Sequence, residues 1–221
     1  MAIKPILFNT EMVRAILDGR KGATRRIVKG FIPDDAVWGY TAFTPKGYIS
    51  CRGTFADGYG EKIFKLPCET GDILYVRETW KKAPNGYYYY EDWQKDDIAD
   101  VTKWKPSIYM PKEAARIWLK VTDVRVERLQ EIDEDGVWDE GFKFKPPCLT
   151  RVSADGHTCD LDGPCMSSIK YCDMTMGELF GRELWNSTIK KSDIDRYGWN
   201  ANPYVWVIEF ERCEKPETKV N

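Results

Sequence analysis

Between Ile117 and Leu129 the chain places apolar side chains at Ile117, Leu119, Val121, Val124, Val126 and Leu129. This is the period-two alternation of a strand with one buried face. The count slips between Val121 and Val124, which predicts a bend near Thr122-Asp123. A strand of this length constrains the chain to a sheet, and other segments supply its partners. Residues 3–8 (Ile-Lys-Pro-Ile-Leu-Phe) read as an opening strand. Val37–Phe43 and Tyr48–Arg52 are β-rich pieces punctuated by Pro45-Lys46-Gly47 and Asp57-Gly58. Gly71-Asp72 opens a strand in which Ile73, Tyr75 and Arg77 alternate with Leu74, Val76 and Glu78, predicting one mixed face and one apolar face. Tyr204–Phe210 is strongly β-forming.

Helical signals occur at a few fixed places. Thr10 reads as the N-cap of a short helix with a stripe of Met12, Val13, Ile16 and Leu17, ended by Gly19 in a left-handed conformation. A second helix runs from about Glu134 to Glu140, capped by Asp133 and stopped by Gly141. Thr175-Met176-Gly177-Glu178 is a capping box before Leu179, Phe180 and Leu184. Residues 81–105, with Tyr87 to Tyr90, Trp93 and Trp104, have no clear period and read as a hairpin plus an insertion loop. Residues 142–174 form a second insertion, and the tail 214–221 is polar. No internal repeat or coiled-coil pattern is present. The expected fold is α+β, mainly β: a small β-barrel with two to three flanking helices and two insertions, residues 1–213 forming a single domain.

Composition narrows the partners. The chain has 221 residues, a net charge of −2, and 14% aromatic residues, nine of them Trp and twelve Tyr. Rings at that density either fill a small β-rich core or line a cleft where bases stack. With a pI near 5.7, wide-area binding to long duplex DNA is not expected. Residues 20–29 are the only dense basic run, so any nucleic-acid contact is local. No apolar stretch approaches the roughly 20 residues of a membrane span, and the N-terminus lacks a signal-peptide apolar region. A cytoplasmic location with reduced cysteines is therefore expected, and no membrane partner.

Within the basic run, Gly19-Arg20-Lys21-Gly22-Ala23-Thr24-Arg25-Arg26 sets four cations and one hydroxyl just past the first helix. The helix dipole favours cations there. It does not account for Lys21 and Thr24 standing among three arginines in a turn. Such a cluster suits an anion, a nucleotide phosphate or a polar carbonyl; a solvated basic turn is the plainer alternative.

Taken together, Ile16–Lys21 with Thr24-Arg25-Arg26, Gly71–Trp80, Pro106–Pro111, Val121–Leu129, Glu140-Gly141 and Asn202–Phe210 resemble, in order and spacing, an ASCH domain of the PUA-like barrel superfamily. The likeness is to the longer phage- and prophage-encoded type and spans nearly the whole chain outside the two insertions. Two positions depart from it: Gly22 stands where Thr or Ser is usual, and Glu113 where an aromatic is usual. The resemblance implies a PUA-like barrel that recognises a nucleoside or single-stranded RNA. Small bacterial members of the superfamily hydrolyse N4-acetylcytidine to cytidine and acetate. Their catalytic lysine, threonine and glutamate match Lys21, Thr24 and Glu140.

In that chemistry Thr24 is the nucleophile, Lys21 a base whose pKa neighbouring cations and burial would lower, and Glu140 the proton donor to the leaving amine. Arg20, Arg25 and Arg26 would bind ligand and stabilise an oxyanion. Glu78 would accept from exocyclic amino groups and Trp80 would stack a base. The alternatives are that Lys21 and Thr24 only hold a ligand, that Glu140 and Glu78 each pair with an arginine, and that Trp80 is core. A non-catalytic single-stranded RNA-binding module and a phage accessory protein acting through a protein partner remain open beside the amidohydrolase. No cofactor is expected. Cys148, His157, Cys159, Cys165 and Cys172 cluster in the second insertion and raise a structural zinc site, but the irregular spacing without a CxxC pair favours free thiols. His157 is the only histidine, which excludes Ser-His-Asp chemistry.

Overall fold

The computed structural model describes residues 1–93, 103–143 and 174–217. Strand residues outnumber helical ones, 37% against 28%, so the chain is α+β and mainly β, as its patterning predicts. In chain order the elements are β1 (Ile3–Leu7), α1 (Thr10–Leu17), β2 (Ala23–Ile27), β3 (Val37–Gly39), β4 (Tyr48–Phe55), β5 (Gly58–Lys65) and β6 (Ile73–Arg77). Next come β7 (Trp80–Ala83), β8 (Gly86–Tyr89), α2 (Tyr90–Trp93), β9 (Trp118–Arg128), α3 (Glu134–Asp139), α4 (Met176–Leu179), α5 (Ile194–Tyr197) and β10 (Tyr204–Cys213). After α4 the helix widens into a π turn over Phe180–Trp185.

Five strands form the main sheet in the order β1-β6-β9-β10-β2, with β3-β4-β5 as a second sheet and β7-β8 as a hairpin. Among the described strands only β1 and β6 run parallel. The long pairing of β10 with β9 is the spine, and its register shifts between Glu209 and Phe210. Glu209 faces Asp123 and Phe210 faces Val121, which leaves Thr122 as the extra residue. The slip in the apolar count is thus a β-bulge.

Side chains of β10 alternate between two cores. Trp206, Ile208 and Phe210 join Leu74, Val76, Leu119 and Val121, covered by Val13 and Ile16 of α1 and by Ile49 and Leu66 from the second sheet. Val205 and Val207 point the other way, against Leu129, Val137, Leu179, Phe180, Trp185 and Trp199. The mixed face expected for β6 is instead buried: Ile73 and Tyr75 pack with Trp80, Met110 and Trp118 beneath the β7–β8 hairpin. The insertion supplies that cover, which local patterning cannot reveal.

Two local expectations change. The N-cap of α1 is Asn9, whose side chain accepts from the Met12 N–H at 2.9 Å, because Thr10 already has helical geometry. Residues 23–27 are not a turn: they pair with β10 along Ala23↔Glu209 to Ile27↔Val205 and close its free edge. The C-terminal end of α1 behaves as expected. Gly19 has φ +72°, its N–H reaches the Ile16 carbonyl, and the Arg20 N–H reaches the Ala15 carbonyl, a Schellman motif.

β1 and β2 stand at opposite ends of the strand order, yet Nη2 of Arg26 on β2 donates to the Leu7 carbonyl of β1 at 2.8 Å. The sheet therefore curls until its edges approach. No helix among the described residues is long and apolar enough to cross a membrane.

Candidate functional site

Strand periodicity sorts the basic run into two faces. Thr24 and Arg26 sit opposite Ile208 and Trp206 and share their face, toward the first core. Arg25 sits opposite Val207 and faces α3. Lys21, Thr24, Arg25 and Arg26 therefore do not form one continuous floor, because successive side chains on a strand point to opposite sides.

The cluster converges on Glu140, the C-cap of α3. Lys21 Nζ donates to Oε2 of Glu140 at 2.5 Å and to its backbone carbonyl at 3.0 Å. The Arg25 backbone N–H, which points away from β10, donates to Oε1 at 2.6 Å, and the Arg25 guanidinium lies 3.6 Å from the same oxygen. The side chains of Lys21, Arg25 and Glu140 are 0%, 2% and 4% exposed, so this is a desolvated ion cluster. Burial pushes the Lys21 pKa down, Glu140 opposes that shift, and Arg26 and Arg25 add to it. The Arg25 guanidinium is thinly satisfied. It donates to the Gly136 carbonyl at 3.3 Å and approaches Glu127 at 3.5 Å, and its Nε is buried without a partner.

Backbone geometry locks the pair. The Gly22 N–H donates to the Asp139 carbonyl at 2.8 Å, giving Lys21 and Glu140 a bridge-like pairing. Gly141 has φ +76°, and a Cβ there would stand 2.7 Å from Ala15 Cβ and 3.1 Å from Lys21 Cβ. Glycine is thus required both for the left-handed conformation and for the close approach of α1. Arg20 is held by Asp18 at 2.9 Å and donates to the Gly141 carbonyl at 2.8 Å, so it clamps this junction.

On the other face, the Phe8 ring carries two cations: Lys21 Nζ lies 5.7 Å and the Arg26 guanidinium 5.3 Å from its centroid. Burial pushes the Arg26 pKa down, opposed by Glu140. Thr24 is buried one residue from Arg25, on the opposite face of β2. Lys21, Arg25 and Glu140 are in contact; Thr24 and Arg26 flank them on the opposite face of β2.

Glu78 and Trp80 belong to a different cluster. Glu78, buried at the end of β6, is gripped by Arg116 through two contacts of 2.9 Å. Burial pushes its pKa up and Arg116 opposes the shift. Arg116 also binds Asp92 at 2.8 Å and stacks 4.1 Å from the Tyr89 ring centroid. Trp80 is core, 4% exposed, with Lys105 over its ring at 5.2 Å. Sequence reasoning missed Phe8, Arg116 and Asp92. Phe8 carries a weak signal, as the aromatic that ends the opening strand; Arg116 and Asp92 lie too far apart in the chain to show one.

Cys148, His157, Cys159, Cys165 and Cys172 lie outside the described residues. The other three cysteines, Cys51, Cys68 and Cys213, are free thiols, and burial pushes Cys68 up to about 11. Compared with family models, with curated proteins and with solved structures, the chain matches none.

Proposed function

We propose that the chain is an ASCH domain of the PUA-like superfamily, of the phage or prophage type, and that its curled sheet is a PUA-like barrel. In this reading it recognises a nucleoside, free or within single-stranded RNA, and hydrolyses an N-acylated pyrimidine such as N4-acetylcytidine. The observation that carries the reading is Lys21: a fully buried amine with a lowered pKa, hydrogen-bonded to Glu140 and three residues before the buried hydroxyl of Thr24. Lys21, once it has passed a proton to Glu140, takes the proton of Thr24 Oγ as that oxygen attacks the acyl carbon. The tetrahedral oxyanion faces Arg26. Its collapse breaks the C–N bond, and the leaving N4 receives a proton through Glu140, releasing cytidine. Water then hydrolyses the acyl-threonine to acetate and restores Thr24.

A second reading follows from burial: a trio this closed to solvent also suits a latch that fastens α3 to β2 in a non-catalytic RNA-binding module. Incubation with N4-acetylcytidine, with cytidine release followed by chromatography, separates the two. Release by the wild type that is lost in Lys21→Ala supports hydrolysis. Release that survives Lys21→Ala, or none from the wild type, rejects it.

A further inference from the structure

The β7–β8 hairpin with α2 plays no part in the chemistry above, yet it is built as a rigid platform. Trp80 anchors it in the core, and the Tyr89 hydroxyl donates to the Ala114 carbonyl at 2.6 Å. Lys105 pairs with Trp80 through backbone hydrogen bonds of 2.8 and 3.1 Å. On its outer side a cavity of about 420 Å³ is lined by Tyr87, Tyr88, Tyr89, Asp92 and Trp93. Tyr88 and Trp93 meet there with ring centroids 6.1 Å apart, and Lys81 lies directly across the hairpin from Tyr88.

The platform's carboxylates are engaged by cations from the body: Glu91 by Arg14 at 2.8 Å and Asp92 by Arg116 at 2.8 Å. Lys81, Lys82, Lys103 and Lys105 are in no ion pair among the described residues. Half-buried rings beside lysines suit stacked bases joined by phosphates. The hydroxyls of Tyr87 and Tyr88 suit the 2′-hydroxyl of ribose. Arg14 belongs to α1, the helix that leads into Lys21, so the platform borders the element that positions the proposed site.

We propose that the β7–β8 hairpin and α2 are a docking surface for single-stranded RNA, seating a base against Tyr88 and Trp93 with a neighbouring phosphate on Lys81. The choice of RNA rests on the nucleoside reading above; the surface itself does not. The test is fluorescence anisotropy with a labelled 12-nucleotide single-stranded RNA and the matching DNA, using the full chain. Wild type binds the RNA more tightly than the DNA. Tyr88→Ala and Trp93→Ala each weaken binding about ten-fold or more. Lys81→Gln weakens it and lowers the salt slope by about 0.7. Phe43→Ala, at an exposed ring elsewhere, has no effect. RNA binding unchanged in Tyr88→Ala and Lys81→Gln overturns the proposal, as does equal affinity for DNA or no RNA binding. Lys81 is on the surface of the hairpin, so its variant still decides the matter if an aromatic variant unfolds. Cytidine release from free N4-acetylcytidine stays at the wild-type rate in Tyr88→Ala. A hairpin that ignores RNA in a chain that hydrolyses the nucleoside therefore fails alone, and the converse result sinks only the hydrolysis.

Discussion

Replacing Glu140 by Gln removes a charge while keeping an amide oxygen that can still accept from the Arg25 N–H. What remains is Lys21, with a side chain 0% exposed and no other carboxylate among its described hydrogen-bond partners. Breaking one side of a buried pair costs about 3–5 kcal/mol, because the other charge stays desolvated. That is a large share of the roughly 5–15 kcal/mol that holds a domain together. Lys21 can escape by losing its proton. Its folded pKa already lies below the ordinary 10.5 and falls further without Glu140, so the unfolded state binds more protons between the two values. Stability of Glu140→Gln therefore rises with pH in that window, and its deficit against wild type narrows from neutral to more alkaline pH. The double variant Lys21→Met/Glu140→Gln recovers most of the loss, since no buried charge is left unpaired. Urea denaturation at neutral and at alkaline pH measures all of this through the shift in midpoint. A loss under about 1 kcal/mol, or a double variant no more stable than Glu140→Gln, would refute the claim that the pair is a desolvated unit.

Gly141→Ala combines a left-handed backbone with a Cβ that would stand 2.7 Å from Ala15 Cβ. It should cost about 2–4 kcal/mol in a urea melt, and a neutral result would mean that α1 is not packed against this junction. Gly22→Ser, the residue usual in the family the chain resembles, meets nothing closer than 3.7 Å and needs no unusual φ. Its melting temperature should stay level or rise, and a fall would mean that the loop is tighter than described. Arg116→Met leaves buried Glu78 without its cation, so its pKa should rise further and the variant should lose more stability than wild type as pH rises from the ordinary carboxylate range toward neutral. A loss that is the same at both ends of that range would contradict this.

Much of the fold was legible because it rests on short-range signals. The alternation from Ile117 to Leu129, the slip at Thr122, the Asp133 cap and the Thr175–Glu178 capping box each declare themselves within a few residues. Long-range pairing stayed hidden. Ala23–Ile27 reads as a basic turn in isolation and becomes a strand because β10 offers a free edge. The apolar face of α1 was plain in the sequence, but not that Asn9 caps it. The buried outer face of β6 depends on a hairpin that local patterning cannot place. In the site, Lys21 and Glu140 were paired through the resemblance, and the contact between them follows from α3 ending at Gly141. The face that Arg25 takes was not legible, because a turn has no alternation, whereas a strand sends it to the opposite face from Thr24 and Arg26.

The proposed chemistry turns on one hydroxyl. Thr24→Val keeps the side-chain shape on a face shared with Ile208 and removes only that oxygen, while Thr24→Ser keeps it. With N4-acetylcytidine as substrate, Thr24→Ser should still release cytidine and Thr24→Val should lose at least about a thousand-fold in rate at unchanged melting temperature. Cytidine release by Thr24→Val at a rate near wild type would contradict a nucleophilic Thr24.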